Sequence, residues 1–350
     1  MPTLNEIYNT TEVNAYVRNR NELQAPEVAK IDQLFPAMKN QETIVTNLVG
    51  GSGLPVTASV HAWDSTTEVG SRDGFKISQI EKALIKRQIP IREQDIMMLN
   101  STNNRAIIEQ IKKTLYDDAG KMVDSVLTKS RAMAMQALST GKVTIENENH
   151  LQKMEIDYGI PDNHKAVLGT DAYWTVDGAD IIGDILKWSM AITDDGGEAP
   201  AYLIAGRKIF ANIAKSASIK KAILGTAVPR PITQTEINNF LEGQGLPKFI
   251  TIDAKYRKQK ADGKYDVIPF IPENTVILVP NGAVGQREFG PTAEEYELTN
   301  DKAYDLISQQ NVIVEVYRTP DPVARWTKAV TCCMPTLSRA NEIFIAKVGA

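Results

Sequence analysis

The chain has 350 residues, 43% of them apolar and 23% charged, with a formal charge of -4. That composition excludes a wholly disordered chain, and the acidic balance excludes a protein that grips nucleic acid by its own net charge. The length exceeds what one hydrophobic core ordinarily serves, so two or three lobes are expected.

Residues 1–50 are polar, rich in Asn and only weakly periodic. They read as an arm with one or two short helices, docked through Leu34, Phe35 and Pro36, or else as an ordinary N-terminal subdomain. The opening stretch, MPTLNEIYNTTEV, has no basic segment and no apolar one, so no secretory signal is expected. No apolar run reaches membrane-spanning length, and manufacture and use in a cytoplasm are expected.

GGSG at 50–53, followed by Pro55, is a flexible break. The next stretch reads as strands around turns, with Asp73-Gly74 as a hairpin turn pair. Residues 72–93 hold six basic and three acidic side chains. A long two-stranded hairpin with so little apolar surface cannot stand alone, so it must lean on its own body or on a neighbouring subunit.

Residues 101–140 carry Ile107, Ile108, Ile111, Leu115, Ala119, Met122, Val126, Met133 and Ala137 at helical spacing. Ser101 or Asn103 can cap the start, and Gly141 suits the left-handed residue that ends it. Glu109–Lys113 and Asp117–Lys121 are expected ion pairs four residues apart. The single apolar face predicts a helix lying across a sheet or core edge.

A second helix follows, with Asp177 as its expected cap and Ile181, Ile185, Trp188 and Ile192 as its stripe. Gly196-Gly197 stops it. Beyond it, AYLIAG, KFITID and TVILVP read as buried strands. Residues 208–224 read as helix, and Thr233 with Glu236 as a capping box. NVIVEVY and EIFIAKV are two further apolar strands.

Chemistry is mostly missing. His61, His150 and His164 lack the second histidine at helical spacing that a zinc helix needs. Cys332 and Cys333 are adjacent and read as two buried thiols. GGSG has neither the spacing nor the following helix of a phosphate loop. Asp194-Asp195-Gly196-Gly197 lacks the alternating ligands of a calcium loop. Glu294, Glu295 and Glu297 read as a solvated charge run. Trp188 reads as core, and Trp63 and Trp174 read as core or as contact anchors. No catalytic residue, cofactor or metal is expected. An arm, a polar hairpin and one very long helix suit a subunit that gains burial between copies of itself.

A set of short motifs in fixed order carries a resemblance. LSTGKVTI follows the long helix, then DYGIP, Trp174, ADIIGDILKW and GGEAPAYLIAG. FIPENTVILVP precedes GAVGQREFGPT, and the close is DPVARWTKAVTCCMPTLSRANEIFIAKV. Upstream, LFP at 34–36 and GSRDGFKISQIEKALIKRQIPI also fit. Over residues 30–350 the chain resembles the phage major capsid protein E family, the lambda-like branch of the Hong Kong 97 phage-type capsid fold.

The resemblance implies an α+β fold of five parts. These are an N-terminal arm (1–50), an extended loop or β-hairpin (51–95), a peripheral domain with a spine helix (96–195), an axial domain (196–310), and a return to the peripheral domain (311–350). NVIVEVY and EIFIAKV would complete one peripheral sheet. The implied function is structural: pentamers and hexamers of a virion capsid of a tailed double-stranded DNA phage, assembled in the bacterial host cytoplasm. A scaffolding protein, a portal and a decoration protein are the implied partners, with packaged DNA near by proximity only and no membrane. Crosslinking is not expected, although Lys76, Lys82 and Lys86 are available. Arg72, Lys82, Lys86 and Arg87 are the candidate intersubunit contacts. Two other readings stay open: an encapsulin-like shell around protein cargo, and an α/β enzyme acting on a small molecule in the 196–310 lobe.

Overall fold

The computed structural model describes residues 26–50, 57–61, 75–91, 105–145, 153–225, 232–260, 262–297, 305–309, 311–321 and 323–349. Tyr16, Trp63, Thr66, Glu93, Gln94, Ile96, Met97 and Arg230 are described as single positions. In chain order the first elements are α1 (Pro26–Leu34), β1 (Ala37–Lys39), β2 (Ile44–Gly50), β3 (Phe75–Glu81), β4 (Ala83–Ile91) and α2 (Arg105–Thr140). Then come β5 (Lys142–Ile145), β6 (Met154–Asp157), β7 (Lys165–Val167), α3 (Ile181–Asp194), β8 (Tyr202–Ala205), α4 (Arg207–Lys215), α5 (Ala217–Leu224) and α6 (Gln234–Gly243). The remainder is β9 (Lys248–Thr251), β10 (Lys255–Gln259), β11 (Tyr265–Pro269), β12 (Thr275–Val279), β13 (Gln286–Gly290), α7 (Ala293–Glu297), β14 (Asp305–Gln309), β15 (Val312–Pro320), β16 (Val323–Thr336) and β17 (Phe344–Lys347).

Two sheets share the long helix. The first is built around β16, a strand of 14 residues. On one edge β16 pairs with β4, and on the other with β15 and then β13. β14 and β1 complete the sheet. Alternate residues Val312, Val314 and Val316 turn to one face, where Tyr116, Ala119, Met122, Val123, Val126 and Leu127 of α2 cover them. Helical spacing on α2 thus meets the two-residue period of β15.

The second sheet runs β7-β17-β12-β8-β9. Leu203, Val276, Leu278, Phe344 and Ala346 face helices α3 to α6. Ile204, Ile277 and Val279 face the other way, onto Met133, Ala134, Ala137 and Leu138 at the far end of α2. At 1.5 Å per residue, the 36 residues of α2 span about 54 Å. One helix therefore covers the first sheet with its front half and the second with its back half. Tyr158, also in this core, donates its hydroxyl to the Pro335 carbonyl at 2.7 Å, and burial pushes its ionisation above the ordinary tyrosine value.

Local expectations held in several places. Gly141 ends α2 at a φ of +73°, and its N–H donates to the Ala137 carbonyl. A side chain there would strain the backbone and meet Ile160 Cδ1 at 3.3 Å. Gly141→Ala is expected to cost about 1–2 kcal/mol, read as a lower urea midpoint at unchanged slope. Thr233 and Glu236 form the full capping box of α6.

Others are corrected. The cap of α3 is Asp180, which accepts from the Gly183 N–H at 3.0 Å; Asp177 is a turn too early. Residues 208–224 are two helices, because Ser216 leaves the helical region between α4 and α5. Lys121 pairs with Asp118 at 3.1 Å, while Asp117 accepts from the Tyr16 hydroxyl. β17 does not join β15 in the first sheet; it lies between β7 and β12 in the second. β3 and β4 do not pair with each other. β3 pairs with β2 from before the GGSG break, and β4 enters the first sheet beside β16. The turn pair Asp73-Gly74 and the caps Ser101 and Asn103 lie outside the described residues.

Candidate assembly surfaces

Three polar clusters tie extended segments to the body. The first holds α1. Ile31 and Phe35 are fully buried, so α1 docks by its apolar face. Beside them Asp32 accepts from Arg131 Nε and Nη2 of α2, each at 2.8 Å, and pairs with Arg287 Nη2 of β13 at 2.7 Å. Arg287 Nε also donates to the Phe35 carbonyl at 2.9 Å. One carboxylate thus joins α1, α2 and the first sheet. Burial lowers the Arg287 ionisation, and Asp32 opposes that effect.

The second cluster surrounds Lys82, between β3 and β4. Its side chain is buried, and its ammonium donates to Asn40 Oδ1 and to the Glu42 carbonyl at 2.6 Å. Burial pulls its ionisation below the usual lysine value. Asn40 in turn donates to Glu288 Oε2 at 2.9 Å. The Lys82 ammonium is therefore spent on its own chain.

The third cluster centres on Glu294 of α7. Lys86 of β4 and Lys328 of β16 both donate to Glu294 Oε1, at 2.7 and 3.0 Å, and Lys328 also reaches Glu315 Oε2 at 2.9 Å. Burial alone would raise the Glu294 carboxyl. The two lysine hydrogen bonds overcome it and hold the group at about 2. This corrects the solvated reading of the glutamate run: Glu294 is buried, and Glu295 pairs with Lys39. Spacing in the sequence held no sign of it, because both lysine partners are distant in the chain.

Of the other candidates, Arg87 is partly exposed and donates to Gln259 Oε1 at 3.0 Å, reaching the β10–β11 ribbon. Arg72 lies outside the described residues. The structure therefore groups Lys86 with Glu294, Lys82 with Asn40 and Arg87 with Gln259, and does not bring these three together as one patch.

The β2–β3 ribbon belongs to neither large sheet. Its base is fixed by buried Val45 and Ile80 and by Asn47, whose Oδ1 accepts from the Leu337 N–H at 3.0 Å. Beyond β2, Val60 and Trp63 are fully exposed. Trp174 and Trp188 instead stack together in the second core, with Trp188 also against Phe344.

Among the described residues, catalytic elements do not gather. His164 is fully buried with Nε2 3.0 Å from Asp195 Oδ2, and its ring lies on Phe344. His61 is exposed, and His150 lies outside the described residues. Cys332 and Cys333 are free and buried, and burial pushes the Cys333 thiol up to about 12. Among the described residues no metal-holding group of His, Cys, Asp and Glu occurs, and no helix is long and apolar enough to cross a membrane. A cavity of 490 Å³ opens at the end of the β15–β16 hairpin, lined by Ile96, Pro320, Val323 and Ala324 between Arg318 and Arg325. Its lining has no nucleophile poised beside a base.

Comparison with known proteins follows the architecture. The family model described as phage major capsid protein E matches residues 12–348. The fold is similar to that of a putative prophage capsid protein of E. coli CFT073, at a TM-score of 0.60 and 14% identity, over 98% of this chain and 99% of that one. It is also similar to a phage-related protein of Bordetella bronchiseptica RB50, at a TM-score of 0.56 and 12% identity, over 96% of each chain. The capsid of a native GTA particle matches at a TM-score of 0.50 and 10% identity, over 94% of this chain and 92% of that one. No curated protein matches the sequence.

Proposed function

The chain belongs to the phage major capsid protein E family, and from that premise we propose how its copies meet. It is a structural shell protein with the Hong Kong 97 phage-type fold, the major capsid protein of an icosahedral phage shell that encloses the genome. Its mechanism lies in contacts between copies and not in bond chemistry. Pentamers and hexamers form in the host cytoplasm, with a separate scaffolding protein and a portal, a decoration protein as a further partner, and DNA close only by packaging.

The carrying observation is the β2–β3 ribbon, which leaves both sheets and presents bare Val60 and Trp63. An exposed tryptophan gains its burial only against another surface, and aromatic anchors dominate interface energies. The ribbon and its connection act as the extended loop. α1 and β1 act as the docked arm, α2 as the spine of the peripheral domain (96–195), which also holds α3, and α4 to α6 with β8 to β13 belong to the axial domain (196–310).

Arg87 is the cleanest of the basic candidates for a neighbour's acidic surface. Reversing Lys86 would also strip a partner from buried Glu294, so it mixes folding with assembly. Electron microscopy and sedimentation of the expressed full chain test the reading. Trp63→Ala is expected to leave the subunit melting temperature within about 1 °C, since exposed substitutions rarely matter to folding. It is expected to lower particle yield at least tenfold, in line with loss of an anchor worth about 2 kcal/mol. Wild-type yield from Trp63→Ala would remove the ribbon contact. A wild-type chain that stays a small oligomer under all assembly conditions would remove the shell reading itself.

A further inference from the structure

The second lobe is divided in charge along the chain. Residues 162–198 carry eight acidic and two basic side chains, and residues 207–230 carry six basic and none acidic. The two stretches lie on the same side of one sheet, since Trp174, Ile185, Trp188 and Ile192 share a core with Ile209, Ile213 and Ile219.

α3 is apolar on two sides. Ile181, Ile185, Trp188 and Ile192 are buried, as an amphipathic helix requires. Ile182, Leu186 and Met190 form a second row at intervals of four, and Leu186 and Met190 are 49% and 52% exposed. Asp194 continues that row by one more turn, and Asp177 stands just before the helix; both are exposed. Neither makes an ion pair with its own chain among the described residues. On the basic side, Lys215, Lys220 and Lys221 of α4 and α5 likewise make none there, and Ala217 and Ala222 beside them are exposed. Arg207, Lys208 and Arg230 have own-chain carboxylates, at Asp253, Glu273 and Glu236.

We propose that the acidic, apolar face of α3 in one copy seats against the basic face of α4–α5 in the next copy. Two unlike faces on one lobe make a head-to-tail contact, which closes into a ring when the rotation per copy allows. Leu186 and Met190 supply the apolar centre. Asp177 and Asp194 meet Lys215, Lys220 and Lys221 at the rim, where charge sets register and encounter rate more than affinity. This rests on the shell reading and names the partner surface within it.

The test is a charge swap in the full chain, read by sedimentation velocity and particle counts, with circular dichroism and melting as the folding control. Asp177→Lys with Asp194→Lys, and separately Lys220→Glu with Lys221→Glu, are each expected to cut ring and particle yield more than tenfold. Melting is expected to be unchanged in both. Combining all four is expected to restore yield to within about threefold of wild type, because like charges no longer face each other. Folded single-face variants that assemble normally would overturn the pairing and leave the shell reading standing. So would a folded combination that does not recover, since two faces that each meet a different partner cannot rescue one another. Should a single-face variant fail to fold, Leu186→Ser with Met190→Ser is read instead. It is expected to cut yield more than tenfold, and wild-type yield from it would equally overturn the proposal.

Discussion

Asp32→Ala is expected to destabilise the subunit by about 3–5 kcal/mol and to free the arm from the body. Arg131 and Arg287 keep only 8% and 4% of their side-chain surface exposed, and Asp32 is the carboxylate that neutralises both. Removing it leaves two buried guanidinium groups side by side with no counter-charge among the described residues. Desolvation then acts against each of them, and their mutual repulsion adds to it. Urea unfolding gives the magnitude, and limited proteolysis near residues 26–34 reports release of the arm. Asp32→Asn keeps hydrogen-bond acceptance without the charge and is expected to lose less. A loss under 1 kcal/mol with Asp32→Ala would show that the docking of Ile31, Leu34 and Phe35 holds the arm unaided.

Glu294→Gln is expected to cost roughly 3 kcal/mol at neutral pH and almost nothing near pH 2. The folded carboxyl sits at about 2 against an ordinary 4.5, and each pKa unit corresponds to about 1.4 kcal/mol. A depressed carboxyl contributes its stabilisation fully above its unfolded value. That contribution is lost as pH falls from about 4.5 through about 2. Subtracting the stability profile of Glu294→Gln from that of wild type isolates this limb from the other carboxylates. A difference that stays flat across that window would mean that Lys86 and Lys328 do not lower the Glu294 carboxyl in solution. Glu315 keeps Lys328 paired in the variant, so the native structure is expected to survive at neutral pH.

Much of the architecture was legible because it is local. The long helix announced itself through apolar residues three and four apart, and its end through Gly141. The capping box at Thr233 and Glu236 needs only four consecutive residues. The stripe of α3 is legible in the sequence, but its cap is not, since Asp177 and Asp180 are both acceptable capping residues and only the backbone chooses Asp180. From the sequence Trp174 reads as core or as contact surface; its stack on Trp188 depends on a turn that no periodicity describes.

Strand partnership was much less legible. A strand's residues declare a two-residue period but not which edge they meet. Phe75–Glu81 and Ala83–Ile91 look like the arms of one hairpin, and one residue separates them. They diverge at Lys82, which turns inward to Asn40 and Glu42, and one strand pairs with β2 and the other with β16. EIFIAKV is apolar enough for either sheet. It enters the second, antiparallel to β12 and parallel to β7.

The sequence by itself determined the family, through short motifs in order, and the elements whose signals repeat within a helical turn or two. It also required that the polar hairpin lean on its own body or on a neighbouring subunit, because a two-stranded ribbon with little apolar surface cannot be stable alone. Only the tertiary structure decided which partner each charge meets inside the subunit. Lys82, Lys86 and Arg87 look alike in a basic run, yet one is buried, one neutralises Glu294 and one reaches Gln259. The reason is physical: the fate of a charge is set by desolvation and by partners far along the chain, and those partners converge only when the sheets have closed.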